Sequence, residues 1–383
     1  MALPSTALDD VKVETAVVET AVAETAPLRE TSAVTLDNDR NNTANRGPTL
    51  ASEGAAEEFL ASLSKDILGE ALYSGEQLAA GAHTTVDELE MLWMELGFAP
   101  KDPEVVYFTQ SDADALMTLN DLRAADLVTP EVTATMSRVL GQALARMAAA
   151  QAQAFYPIIV ERINSRSNGL TTPRSDALPG TEDPNEMIRD VFVPVFERFI
   201  GYIWRRHLVS ASTRVLLPPK VEAVGFADLV DYTKMTVQTA PGQLAEMIGR
   251  FHHIVNNQVS ANQGRVVKLI GDAVLYVTEE PAPAVAIALA IQQACKDDPD
   301  LPAVRAGVAS GDLVDVEGDI FGTTVNLASR LAEMARPGSI LVDDETAGAL
   351  MSDYRFDFRA LRPRRLKGLG FVRGWVTRST GQT

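Results

Sequence analysis

Two short acidic islands hold the residue types best suited to chemistry. One is Val224 to Thr233, reading Val-Gly-Phe-Ala-Asp-Leu-Val-Asp-Tyr-Thr, and the other is Lys268 to Leu275, reading Lys-Leu-Ile-Gly-Asp-Ala-Val-Leu. Each sets an aspartate, Asp228 or Asp272, at the edge of an apolar, β-prone run where the chain turns. A carboxylate there stands at a sheet's rim, in water and on a rigid support. Brought together, the pair makes a seat for hard, oxygen-loving cations such as Mg²⁺. Asp319, Asn326 and Arg330 form a third cluster. Asn326 and Arg330 lie four apart in a predicted helix and so project from one face. An amide beside a guanidinium suits a sugar oxygen and a phosphate. Taken singly, these motifs also fit plain turns and solvated surface networks; their order along the chain carries the signal.

Short β-branched runs alternating with helices must position these residues. Val221 to Phe226 reads as a strand and Gln243 to Val259 as an amphipathic helix. Gly264 to Ile270 and Ala273 to Val277 read as strands meeting tightly at Gly271-Asp272. Ala284 to Ala294 is a helix, Val304 to Ala309 with Leu313 to Val316 a strand pair, Val325 to Ala335 a helix and Ile340 to Val342 a strand. A β-α-β-β-α-β order predicts a ferredoxin-like sheet with helices on one face. Domain boundaries follow from composition: a tail over 1–52, a helical domain over 53–206, a linker over 207–219 and an α+β domain over 220–383.

The tail repeats Val-Glu-Thr-Ala and then turns polar, with few large apolar residues, so it is expected to be disordered. In the helical domain, Thr85 to Glu88 reads as a capping box for a helix ending at Gly97, and Thr129-Pro130 opens a long alanine-rich helix. Asn164 to Asn185 reads as a loop before an aromatic helix with Phe192, Phe196, Phe199 and Trp204. His207 is expected to end that helix, either as a solvated cation at its C-terminus or as a pH-sensitive element of the linker.

The 383 residues carry 34 basic against 52 acidic side chains, a net charge of −18. So acidic a chain is not expected to bind nucleic acid or an anionic membrane through its overall field. A polyanionic substrate would need metal ions and a few local cations. The lone cysteine, Cys295, excludes an intrachain disulfide and reads as a buried, inert thiol. No apolar run reaches bilayer length and no signal peptide is evident, so a cytoplasmic location with no membrane span is expected.

In order, Phe226-Ala-Asp-Leu-Val-Asp-Tyr-Thr233, Lys268-Leu-Ile-Gly-Asp272 and Gly318-Asp-Ile-Phe-Gly-Thr-Thr-Val-Asn-Leu-Ala-Ser-Arg330 closely resemble the class III nucleotidyl cyclase catalytic domain. The resemblance covers about residues 220 to 378. It implies that Asp228 and Asp272, with the Leu229 carbonyl, hold two divalent ions, Mg²⁺ or Mn²⁺. It implies that Lys268 and Asp319 read the adenine edge, that Asn326 orients the ribose and that Arg330 stabilises transition-state charge. Lys367, in Leu366-Lys-Gly368, matches the family's triphosphate-binding lysine. It further implies ATP as substrate and a homodimer, since family sites lie between subunits. A guanylyl cyclase would be expected to carry an acidic and a small residue at positions 268 and 319. One departure is Asp312, where some members place a phosphate-contacting arginine, which shifts that duty toward Lys367, Arg364 or Arg365. The helical half, including Arg138 to Arg146, resembles the N-terminal regulatory domain of some actinobacterial cyclases. That implies autoinhibition, with a proton, a lipid or another small molecule as input. A guanylyl cyclase and a catalytically silent nucleotide-binding signalling module are the competing readings.

Overall fold

Amphipathic helices and short apolar strands account for residues 53–167, 183–216 and 222–380, the part of the computed structural model that is described. The expected tail over 1–52 lies outside these residues.

The first segment is helical, with one small two-stranded sheet. Its elements are α1 (Glu53–Leu68), β1 (Tyr73–Ser74), α2 (Gly75–Gly81), α3 (Val86–Glu95), β2 (Val106–Phe108), α4 (Gln110–Ala124) and α5 (Pro130–Ser167). Ser74, Thr85 and Thr109 each close a reciprocal capping box, satisfying amide donors that the first helical turn would otherwise leave unpaired. The box at Thr85 and the stop before Gly97, where φ is +89°, follow the sequence expectation. Leu78, Leu89, Phe108 and Leu116 bury a small core, against which Trp93 packs. Of the loop expected over Asn164 to Asn185, residues 164–167 belong instead to α5, which continues to Ser167, and Pro184 and Asn185 open a short helix; positions 168–182 lie outside the described residues.

After α6 (Pro184–Glu186) and a π-helical turn (Met187–Phe192), α7 runs from Val193 to Leu216. His207 therefore sits in the middle of a helix and is exposed, not at a helix end. The run Leu208-Val-Ser-Ala-Ser-Thr-Arg214 holds no glycine or proline, so nothing in it breaks the hydrogen-bond ladder.

The second segment contains β3 (Glu222–Leu229), α8 (Tyr232–Gln238), α9 (Pro241–Ala261), β4 (Arg265–Ile270), β5 (Ala273–Thr278), α10 (Pro281–Asp297) and β6 (Val304–Gly311). It continues with β7 (Val314–Val316), β8 (Asp319–Phe321), α11 (Thr323–Met334), β9 (Ile340–Val342), α12 (Asp344–Leu350), β10 (Phe356–Ala360), β11 (Arg364–Leu366), β12 (Gly370–Val372) and β13 (Trp375–Ser379). Seven strands form one sheet in the order β10-β13-β9-β6-β3-β5-β4. The four strands β6-β3-β5-β4 reproduce the expected ferredoxin-like order, and among the described residues only the β6–β9 pairing is parallel.

Alternation along β3 divides the core. Ala223, Ala227 and Leu229 face α9 and α10, with Phe251, Ile287 and Ile291 fully buried against them. Val224 and Phe226 face α11 instead, with Leu275, Ala309 and Leu331. Burying each such large side chain contributes about 1.5–3 kcal/mol. The expectation of helices on one face thus holds for α9 and α10 but not for α11. Gly307 makes the second packing possible: a Cβ there would lie 2.2 Å from the Ala328 carbonyl oxygen. The expected pairing of Val304–Ala309 with Leu313–Val316 is also corrected. β6 is flanked by β3 and β9, while β7 pairs with β8 in a separate hairpin.

Candidate active site

Sheet register gathers the first group. In β3, Asp228 stands opposite Ala273 on one side and Arg305 on the other. The Arg305 guanidinium donates to Asp228 Oδ2 through both Nε, at 2.9 Å, and Nη2, at 2.5 Å. Asp272 occupies the β4–β5 turn, and its carbonyl accepts from the Leu229 amide at 3.1 Å. From α9, His252 Nε2 donates to the Gly271 carbonyl of the same turn at 3.1 Å. Asp228, Leu229 and Asp272 are therefore held together by main-chain pairing rather than by flexible side chains.

The electrostatics of this group suit a cation. Partial burial, with the neighbouring charge of Asp228 next among the raising influences, pushes the Asp272 carboxyl up to about 6. Two carboxylates this close resist joint ionisation until a positive charge arrives. Arg305 supplies part of it. Among the described residues no cluster of three or more acidic, histidine or cysteine side chains surrounds a common point. The donor set is instead two carboxylates plus main-chain oxygen, a composition that suits Mg²⁺ or Mn²⁺.

A second group forms at the β4 edge, where the Lys268 ammonium donates to Asp319 Oδ2 and the Ile320 amide donates to Asp319 Oδ1 at 2.8 Å. Lys268 and Asp319 are 41% and 30% exposed, so both are reachable by a planar ligand. Lys268 stands opposite Leu275, which is itself opposite Phe226, so it shares the sheet face that carries Asp228.

The third group points elsewhere. On α11, the buried side is Thr324, Ala328, Leu331 and Ala332, whereas Asn326 and Arg330 are exposed on the outward side. Arg330 Nη1 donates to Glu333 Oε2 at 2.7 Å and to Oε1 at 2.9 Å. Among the described hydrogen bonds and ion pairs, none joins Asn326 or Arg330 to Asp228 or Asp272. Lys367 lies exposed in the turn of the β11–β12 hairpin, with exposed Arg364 and Arg365 beside it.

Arg305 and His252 escaped the sequence analysis. The only signal for Arg305 was a single cation inside the apolar run Val304 to Val308, and its partner depends on an inter-strand register that spacing does not reveal. His252 had no signal beyond its place on an amphipathic helix. Cys295 is buried as expected, with its thiol pushed up to about 12 by desolvation. No described helix is long and apolar enough to cross a membrane.

Sheet order, paired aspartates and a lysine–aspartate couple on one face define a nucleotidyl cyclase catalytic fold, and comparison with known proteins agrees. Residues 220–378 match the adenylate and guanylate cyclase catalytic domain. Over 340 residues the chain is 31% identical to an adenylate cyclase of Glutamicibacter nicotianae, covering 83% of this chain and 82% of that protein. It is also 31% identical over 350 residues to an adenylate cyclase of Streptomyces coelicolor, covering 82% of this chain and 88% of that one. The crystal structure of an adenylyl cyclase from P. aeruginosa aligns at a TM-score of 0.39 and 19% identity, over 42% of this chain and 95% of that one. This chain belongs to the class III adenylate and guanylate cyclase family. It is an enzyme, a cyclase, whose first segment is helical and whose second carries the cyclase fold.

Proposed function

We propose that this chain is an adenylyl cyclase, converting ATP to 3′,5′-cyclic AMP and pyrophosphate as a regulated homodimer. The observation that carries the choice of purine is the Lys268–Asp319 couple. An ammonium donates to an unprotonated ring nitrogen, and a carboxylate accepts from an exocyclic amino group. Adenine offers that pattern on its Watson–Crick edge and guanine the reverse. Guanylyl cyclase is the second reading, disfavoured by the same couple. Comparing turnover of ATP with that of GTP tests the choice, and equal or greater rates with GTP would reject it.

Asp228, Asp272 and the Leu229 carbonyl would hold two divalent ions, Mg²⁺ or Mn²⁺. When bound, such ions make the ribose 3′-hydroxyl more acidic and screen phosphate charge. In the overall reaction the 3′-oxygen bonds to the α-phosphorus, the bond to the pyrophosphate breaks, and the hydroxyl proton passes to solvent. Asn326 holds the ribose, Arg330 offsets the charge that moves toward the leaving group, and Lys367 with Arg364 and Arg365 contacts the triphosphate. Arg305 fixes the orientation of the Asp228 carboxylate through its two hydrogen bonds.

The homodimer reading, in which the aspartates come from one chain and Lys268, Asp319, Asn326 and Arg330 from the other, is supported by the exposure of Asn326 and Arg330 on the outer side of α11, with no described hydrogen bond or ion pair to Asp228 or Asp272. One chain presents the two halves of a site on different surfaces, and a second copy reunites them. Asp228→Ala and Asn326→Ala chains, each inactive, should regain activity when mixed, because one of the two sites in a mixed dimer is then intact; absence of recovery would reject the shared site. The helical segment is assigned a restraining role, as a domain over 53–206 acting on a catalytic domain over 220–383. His207, the proton and lipids are its candidate inputs.

A further inference from the structure

One charged contact joins the helical segment to the hairpin that carries Asp319. The Arg138 guanidinium, on α5, donates to Glu317 through Nη2, at 2.5 Å to Oε1, and through Nε, at 3.3 Å to Oε2. Its remaining terminal nitrogen, Nη1, donates to Glu95 Oε2, on the last turn of α3, at 2.9 Å. A planar guanidinium can serve two carboxylates at once, whereas an ammonium cannot match that fork geometry. Arg138 and Glu317 are 36% and 33% exposed, enough for the pair to be broken and remade.

Both ends of this contact are rigidly seated. Gly141, one turn beyond Arg138, lets α5 press on the end of α3: a Cβ there would lie 2.3 Å from the Leu96 carbonyl oxygen. That approach sets Arg138 beside Glu95. At the other end, Val316 pairs with Asp319, so Glu317 and Gly318 form a two-residue hairpin turn, with φ of +54° and +81°. Positive φ at both positions is the tight geometry that matches the twist of the flanking strands. A force on Glu317 therefore reaches Asp319, which begins β8 and binds Lys268. The hydrogen bond and charge of Arg138 also hold the Glu317 carboxyl below its usual range, so it is ionised and ready to pair. Val314, Val316 and Phe321 of the same hairpin are exposed apolar side chains, the kind of surface a second copy would cover.

We propose that Arg138 and Glu317 form a restraining clasp, through which the helical segment ties down the β7–β8 hairpin and limits the movement of Asp319 onto substrate. The role of Asp319 rests on the cyclase reading above. Arg138 and Glu317 are positioning residues, acting on substrate only through the hairpin.

Charge reversal on the full-length chain tests the clasp. Arg138→Glu and Glu317→Arg should each raise kcat/KM for ATP about two- to fivefold, the range expected of a partly exposed ion pair, mainly through KM. The exchange of both charges, made in a chain that also carries Glu95→Gln so that the carboxylate at position 138 meets no like charge, should return kcat/KM toward the value of the Glu95→Gln chain. Glu317→Gln, the mildest change, should act in the same direction as Glu317→Arg. Singles that leave kcat/KM unchanged or lower it, or an exchange variant that fails to restore it, overturn the proposal. Amide exchange across 314–321 provides a readout independent of turnover: faster in each single variant and slowed again in the exchange variant. If no chain, native included, makes cyclic AMP, the functional reading fails, and the exchange data still decide whether the clasp exists.

Discussion

At the scale of single residues, the couple proposed to read the base and the paired aspartates are expected to behave differently under test. Lys268 and Asp319 meet through one hydrogen bond and remain open to solvent, so either can be replaced without disturbing the core. Converting them together, as Lys268→Glu with Asp319→Ala, removes the donor and acceptor that suit adenine. Buried polar groups left unmatched by a ligand cost roughly 1–3 kcal/mol each. The expected result is a fall in kcat/KM for ATP of about one to two orders of magnitude, with a rise in the GTP-to-ATP ratio; parallel assays with both nucleotides read it. Asp272 leads to a pH prediction. Its folded-state value is raised to about 6, so the proton is retained as pH falls through that point and competes with a cation for the same oxygens. Apparent Mg²⁺ affinity, measured calorimetrically, should be level above about pH 7 and decline below about 6. Asp272→Asn, with no carboxyl left to titrate, should bind weakly and lose that slope.

At the scale of elements, α11 is the part whose position most directly sets the chemistry on the proposed roles of Asn326 and Arg330. It lies over Gly307 with no room for a side chain, and it carries Asn326 and Arg330 on its outer side. Gly307→Val should push the helix outward, costing about 1–3 kcal/mol of stability from overpacking. Turnover should fall more than the loss of folded protein explains, because the ribose and phosphate contacts move with the helix; a denaturant midpoint beside a kcat measurement separates the two effects. This element also marks where sequence ceases to be legible. The existence of α11 and of the strands around Asp228 and Asp272 followed from local patterning, although β3 extends past the expected end at Phe226 to Leu229 and so contains Asp228, and the motif order pointed to the family. Which face α11 covers did not, since it depends on one glycine in β6 meeting a backbone carbonyl far along the chain. The hairpin β7–β8 was misassigned for a similar reason. Leu313 to Val316 reads as a strand from its composition, but its partner is decided by the Glu317-Gly318 turn, whose tightness is a matter of positive φ. The end expected at His207 failed because a stretch without glycine or proline carries no stop signal.

At the scale of the whole molecule, the site is divided by geometry and the assembly by concentration. Asp228 and Asp272 meet at the β4–β5 turn, Lys268 meets Asp319 at the β4 edge, and Asn326 and Arg330 look outward from α11. One chain does not complete a site alone on the homodimer reading, because the buried side of α11 keeps Asn326 and Arg330 facing out. On the homodimer reading, every functional site therefore forms by association of two chains. Specific activity should then depend on protein concentration: constant where dimers are saturated, and falling in proportion to concentration once most chains are monomeric, so that total rate varies with its square. Serial dilution of the full-length chain at saturating ATP and Mg²⁺, followed by light scattering or sedimentation at matching concentrations, measures both curves. Their midpoints should coincide. A specific activity that stays level well below the dissociation midpoint would mean that one chain suffices, and the shared cleft would have to be abandoned.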